Sequence, residues 1–147
     1  MSIKWSKAGL MLGSLSIALS PTLIPFSSVS AASGEFRGTW TITRDFTLDG
    51  TVDTNTASNY PISLNSHANY FVGSYSSYTN GTPNDSIFEG ETYYDAGRST
   101  KIINFRQRDE TYYVVHSGKL IAPNKYQGTW YDNAGNSGDF LLTTQSE

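Results

Sequence analysis

One pattern, aromatic-x-Gly-x-aromatic, recurs along the chain and restricts its fold more than any other feature. It stands at Phe36-Arg37-Gly38-Thr39-Trp40, Phe71-Val72-Gly73-Ser74-Tyr75 and Tyr126-Gln127-Gly128-Thr129-Trp130, with a looser copy at Phe88-Glu89-Gly90-Glu91-Thr92-Tyr93. Side chains of an extended strand alternate with a period of two, so each glycine lies between two rings on the same face. Lacking a side chain, it makes room for the rings and lets the strand coil sharply. Sharply coiled strands are what a sheet needs in order to close on itself.

The segments between these copies read as further strands. Residues 36–43 place Phe36, Gly38, Trp40 and Ile42 on one face and Arg37, Thr39, Thr41 and Thr43 on the other, the alternation of a half-buried strand. Phe46, Leu48 and Val52 continue in phase, or Asp49-Gly50 turns the chain. Residues 53–59 are polar and read as a loop, and 61–64 as a short edge strand because Pro61 cannot donate to a ladder. Residues 69–76 resume a strand, and 78–86, with Asn-Gly, Pro and Asn-Asp, read as a loop holding two glycosylation sequons at Asn80 and Asn84. Strands are expected at 87–94, 100–107, 110–116 and 119–122, with Ser117-Gly118 as a turn. A final hairpin joins 126–132 to 140–144 through the Asp, Asn and Gly residues between them. Gaps this short join antiparallel neighbours. The expected fold is therefore all-β, an antiparallel up-and-down β-barrel of about eight strands, with a β-sandwich as the alternative. Closure predicts that the first strand pairs with the last.

The N-terminus reads separately. Lys4 and Lys7 precede an apolar run over residues 8–19, then Pro21, Pro25 and the small residues Val29-Ser30-Ala31, the order of a secretory signal peptide. The run is shorter than the roughly 20 residues of a spanning helix, so residues 1–31 are expected to be a leader cleaved after Ala31. Residues 32–147 form a single domain, secreted or periplasmic and without stable membrane insertion. The chain has no cysteine, which removes disulfides, thiolate chemistry and cysteine metal sites. Without Lys4 and Lys7 it keeps eight basic residues against thirteen acidic ones. That acidic balance argues against nucleic acid as a partner, which needs a basic face.

GEFRGTW, ending in Gly38-Thr39-Trp40, resembles the Gly-x-Trp strand that opens lipocalin-type and avidin-type up-and-down barrels. YQGTWYDNAGNSGDF resembles the terminal hairpins of small exported bacterial β domains. Together they cover two strands of the expected eight to ten. A lipocalin likeness implies a hydrophobic ligand inside the barrel with Trp40 at its closed end; the other lipocalin motifs have no counterpart here and the usual disulfides are absent. An avidin likeness implies a pocket lined by tryptophan, for which Trp40 and Trp130 remain after processing.

No catalytic set is legible. His67 and His116 have no second nitrogen ligand at metal spacing; His67 suits a polar loop and His116 the edge of a core. The run from Asp132 to Asp139 lacks the spacing of a calcium loop and reads as a turn. Glu89 and Glu91 share a strand face, as paired carboxylates of a glycosidase would, but they fit a solvated face better. Tyr93-Tyr94 and Tyr112-Tyr113 should each send one ring inward and one outward. The leading expectation is a non-enzymatic barrel binding a small apolar or aromatic molecule against Trp40, Phe71, Tyr75, Tyr126 and Trp130, with no cofactor and no metal. A barrel enzyme (cyclase, isomerase or hydrolase) is the alternative, and a protein- or glycan-contacting surface module or inhibitor the third reading.

Overall fold

The computed structural model describes residues 33–79 and 81–144. The expected leader, its cleavage after Ala31 and the sequon residue Asn80 lie outside the described residues. Eight strands follow in order: β1 Ser33–Arg44, β2 Ser58–His67, β3 Tyr70–Thr79, β4 Thr82–Asp95, β5 Thr100–Arg108, β6 Tyr113–Ala122, β7 Lys125–Asp132 and β8 Ser137–Thr144. Each pairs antiparallel with the next, and β8 returns to β1 from Trp40↔Thr144 to Arg44↔Phe140. The sheet is therefore a closed up-and-down barrel, as the alternation and short gaps predict, and the sandwich alternative is excluded.

Several local expectations are corrected. Residues 78–79 and 82–86 are not loop: β3 and β4 pair through them, from Tyr75↔Ser86 to Thr79↔Thr82. Ser117-Gly118 is not a turn but the middle of β6, opposite Thr129 and Gly128. Phe46, Leu48 and Val52 do not extend β1, and Asp49-Gly50 does not close a hairpin; both belong to the long β1–β2 connection. Tyr93 and Tyr94 are both exposed. Tyr94 shares the inward phase of Phe88 and Thr92 but sits one residue from the strand's end, past the packed interior.

Pro61 falls inside a strand of ten residues, and the ladder explains how. β2 pairs with β1 along its length, up to Arg44↔Ser58. Its pairing with β3 runs only from Ser63↔Ser74 to His67↔Tyr70 and, among the described residues, goes no higher. The upper half of β2, where Pro61 lies, is thus a local edge, the position at which a missing N–H is tolerated. The barrel wall carries a seam there, flanked on the inside by Tyr60 and Tyr75.

Three of the four repeat glycines act as expected. Gly73 pairs with Leu64 and Phe88, Gly90 with Phe71 and Phe105, and Gly128 with Gly118 and Phe140. A Cβ at each would overlap the neighbouring strand, so the facing ring occupies the volume that the missing side chain releases. Gly38 differs: its φ is +77° beside a register shift in β1, and a Cβ there would meet nothing. Its contribution is a left-handed backbone turn, which glycine adopts without steric cost.

The long β1–β2 connection is tied to the end of the barrel by Asp45. Its Oδ1 accepts from the Thr47 and Asp139 amides at 3.2 and 3.1 Å, and its Oδ2 from the Asp53 amide at 2.8 Å. Asp139 Oδ2 accepts from the amides of Asp49 and Gly50, and the Trp130 indole N–H donates to the Asp45 carbonyl at 2.9 Å. Burial works against the Asp45 carboxylate, but the three amides outweigh it and lower its pKa. Asp45→Ala should leave three donors without their acceptor and cost about 2–3 kcal/mol; urea unfolding with an unchanged slope measures it, and a loss under about 0.5 kcal/mol would refute the latch.

Candidate functional site

The five residues expected to bind ligand fall into two groups. Trp40, Phe71 and Tyr126 surround Phe36 at ring-centroid distances of 4.8, 4.4 and 5.7 Å. With Leu64, Phe105 and Leu142 they fill the lower interior as a packed core. The Tyr126 hydroxyl donates to Glu35, which also accepts from Lys101 Nζ at 2.7 Å. Burial first, and then Glu35, push the Tyr126 phenol up. Trp130 belongs to the same buried cluster and half-buried Tyr75 packs against it, but both lie toward the upper end, where the β1–β2, β3–β4, β5–β6 and β7–β8 connections lie.

At this upper end the interior changes character. Arg44, the last residue of β1, follows Trp40 and Ile42 in inward phase and is only 8% exposed. Its guanidinium lies 4.7 Å from the Tyr60 ring centre and 5.5 Å from that of Trp130, the geometry of cation–π contact. No carboxylate among the described residues pairs with it, and its Nη1 is buried without a hydrogen-bond partner. Tyr60 meets Tyr75 edge-on at 5.6 Å across the seam.

Two more polar side chains enter the same region from the opposite side. In an eight-strand closed order β5 faces β1, and inward from its upper end comes Gln107, whose Nε2 donates to Ser86 Oγ at 3.1 Å while Oε1 has no partner. His116, on β6, is fully buried, stacked on Phe105 at 4.1 Å and edge-on to Phe140 at 5.2 Å. Neither ring nitrogen has a partner in good hydrogen-bond geometry, the Phe105 backbone giving at most a weak interaction. Desolvation, reinforced by the Arg44 charge, holds His116 well below the ordinary histidine range, so the imidazole is neutral. A buried polar group without a partner costs about 1–3 kcal/mol. Arg44, Gln107 and His116 all carry such atoms near one end of the barrel, whereas Trp40 Nε1 is an isolated instance lower down.

Above them Tyr112 donates to Asp132 Oδ2 at 2.8 Å. Asp132 also accepts from the Ala134 and Asn136 amides and from Asn136 Nδ2, which organises the β7–β8 turn. Burial raises the Tyr112 phenol and the Asp132 bond raises it further, to about 12. For Asp132 burial acts upward, but its hydrogen bonds prevail and bring it from 3.8 to about 2. Between those values the unfolded chain binds the extra proton, so this contribution is complete above pH 4 and disappears as pH falls toward 2. Asp132→Asn should abolish that dependence and cost about 1.5–3 kcal/mol at neutral pH; thermal melts from pH 2 to 7 compare the two proteins.

The remaining candidates stand elsewhere. Glu89 and Glu91 face outward, Glu89 paired with Arg108 at 3.3 Å. They flank a shallow groove on the outer wall that also takes in Tyr70, Arg106, Val115 and Tyr131. His67 is exposed at the end of β2. No three metal-ligating side chains converge among the described residues. Sequence reading missed Arg44, Gln107, Tyr60 and Ser86. The available signal was phase: Arg44 continues Trp40 and Ile42, and Gln107 continues Ile103 and Phe105, so each sets a polar group on an apolar face.

No family model matches the chain, and no curated protein is found similar to it. Among solved structures it is similar to a redesigned β-barrel, with 15% sequence identity and a TM-score of 0.52 over 82% of this chain and 100% of the other. At that identity the likeness concerns the fold alone, a small closed β-barrel.

Proposed function

We propose that the protein is an exported, non-enzymatic barrel that binds a small apolar or aromatic molecule at its upper end, beside the seam between β2 and β3. The observation that carries this reading is Arg44: a buried guanidinium held between Tyr60 and Trp130, one donor group unpaired and no carboxylate partner among the described residues. Half-buried Tyr60 and Tyr75 offer ring faces next to it, and aromatic walls with a few polar groups are what small-molecule sites are built from. The lower interior, packed with rings, serves as the floor. This position departs from a lipocalin-type site in the barrel centre but keeps the closed lower end that the likeness implies.

A binding role suits these groups better than catalysis. General acid–base chemistry needs a partner able to exchange a proton near the working pH; His116 is held neutral, and Asp132 is engaged by Tyr112 and its own turn. Native mass spectrometry of protein purified from its own host should show a co-purifying mass. Titration with lipophilic, pigment and sugar panels should then shift tryptophan emission, because Trp130 borders the site. A bare mass together with unmoved emission across every panel would overturn the reading in favour of a surface module working through the outer tyrosines.

A further inference from the structure

We infer that the molecule bound at the upper end carries a planar acid group, a carboxylate or its equivalent, received by Arg44 with Gln107 and His116 on the facing wall. The inference deepens the proposed function and rests on it. Three side chains, each at least nine-tenths buried, hold unpaired hydrogen-bonding atoms near one end of the interior: Arg44 Nη1, Gln107 Oε1 and both nitrogens of His116. They come from β1, β5 and β6, and each continues the inward phase of its strand toward the upper end of the closed barrel.

The chemistry of the set selects the group. An arginine fork presents parallel N–H donors that match the two oxygens of a carboxylate. No carboxylate among the described residues pairs with that charge, and an arriving anion would compensate it directly. The imidazole supplies one further N–H. Rotating the Gln107 amide by 180° lets Oε1 accept from the Ser86 hydroxyl and turns Nε2 inward as a third donor. Tyr60 and Trp130 keep the guanidinium plane in place before the ligand binds, which limits the ordering cost on binding. The rest of the ligand then lies toward Tyr75 and the seam, where the wall offers rings.

The test compares an acid with its neutral counterpart: 1-naphthoate against 1-naphthylmethanol, and palmitate against hexadecanol for a chain-like body. Affinities are read by tryptophan emission and calorimetry on wild type, Arg44→Met, Arg44→Lys and Gln107→Leu. At least one acid should bind wild type tenfold or more tightly than its alcohol. Arg44→Met should shrink that preference to threefold or less, and Arg44→Lys should keep part of it. Gln107→Leu leaves the Arg44 stack intact and should weaken the acid three- to tenfold with little change for the alcohol, so it carries the test if Arg44→Met does not fold. Equal binding of acid and alcohol, or a preference that survives both Arg44→Met and Gln107→Leu, overturns the acid group while the binding function stands. Binding of neither member of either pair overturns the acid group, and together with a bare mass and unmoved emission across the panels it overturns the binding function as well.

Discussion

Gly128→Val should remove a large part of the barrel's stability. Gly128 sits directly opposite Gly118 on β6 and Phe140 on β8. A Cβ at residue 128 would overlap the Ser117 carbonyl oxygen and the Gly118 Cα, both backbone atoms that no rotamer change can move aside. Relief requires β6 and β7 to separate, and that would break ladder pairs on both sides of the contact. Phe140 adds a second penalty: its ring approaches the Gly118 position and packs edge-on to Phe105 and His116, so displacing it disturbs the core. A loss above about 4 kcal/mol is expected, against a total of about 5–15 kcal/mol for a domain of this kind. Near-ultraviolet circular dichroism and urea titration would show it. A cooperative transition within about 1 kcal/mol of wild type would mean that β6 and β7 are not in this close approach. Gly38→Ala should behave differently, with a smaller loss from its φ of +77° and no collision.

The fold was legible because one repeat states both a period and a packing device. Alternation at residues 36–43 and 126–132 gives strands, and the glycine between rings gives the coiling that closure needs. What stayed hidden were strands whose sequences look like loops. Thr82-Pro83-Asn84-Asp85-Ser86 carries turn residues yet belongs to β4, because β3 pairs with it through Thr79↔Thr82. Local propensity yields to a tertiary ladder in such places. Ser117-Gly118 misleads in the opposite way, since a glycine that marks close approach of two strands looks in sequence like a glycine that marks a turn.

The site was harder to read than the fold, for a related reason. Trp40, Phe71 and Tyr126 announce themselves as large rings, but large rings on an inward face fill a small barrel as readily as they line a pocket. Arg44 and Gln107 are informative because they interrupt an apolar face, and that interruption gains meaning only once closure shows both residues pointing into one enclosed space. His116 alternates in phase with Val114 and resembles any core-edge histidine. Its lack of a partner appears only in three dimensions.

His116→Leu should stabilise the protein, and more so in mild acid. The imidazole is buried with both nitrogens unpaired, so an apolar side chain of similar volume removes a cost of about 1–3 kcal/mol, less the stacking it forfeits on Phe105. A second contribution depends on pH. In the unfolded chain histidine titrates near 6.5, whereas in the folded barrel desolvation and the Arg44 charge keep it neutral well below that value. Below pH 6.5 the unfolded chain therefore binds more protons, and wild-type stability falls as pH is lowered. That term is small at pH 7 and grows as pH falls below 6.5 for as long as the folded imidazole stays neutral. The leucine variant lacks it, so the stability difference between the proteins should be larger at pH 5 than at pH 7. Urea titrations at the two pH values measure the widening gap. A variant less stable than wild type at both would show that the imidazole has a structural partner. A variant more stable than wild type that also binds the naphthoate probe less tightly would show instead that the residue is retained for binding at the expense of stability, the trade expected of a ligand-directed group.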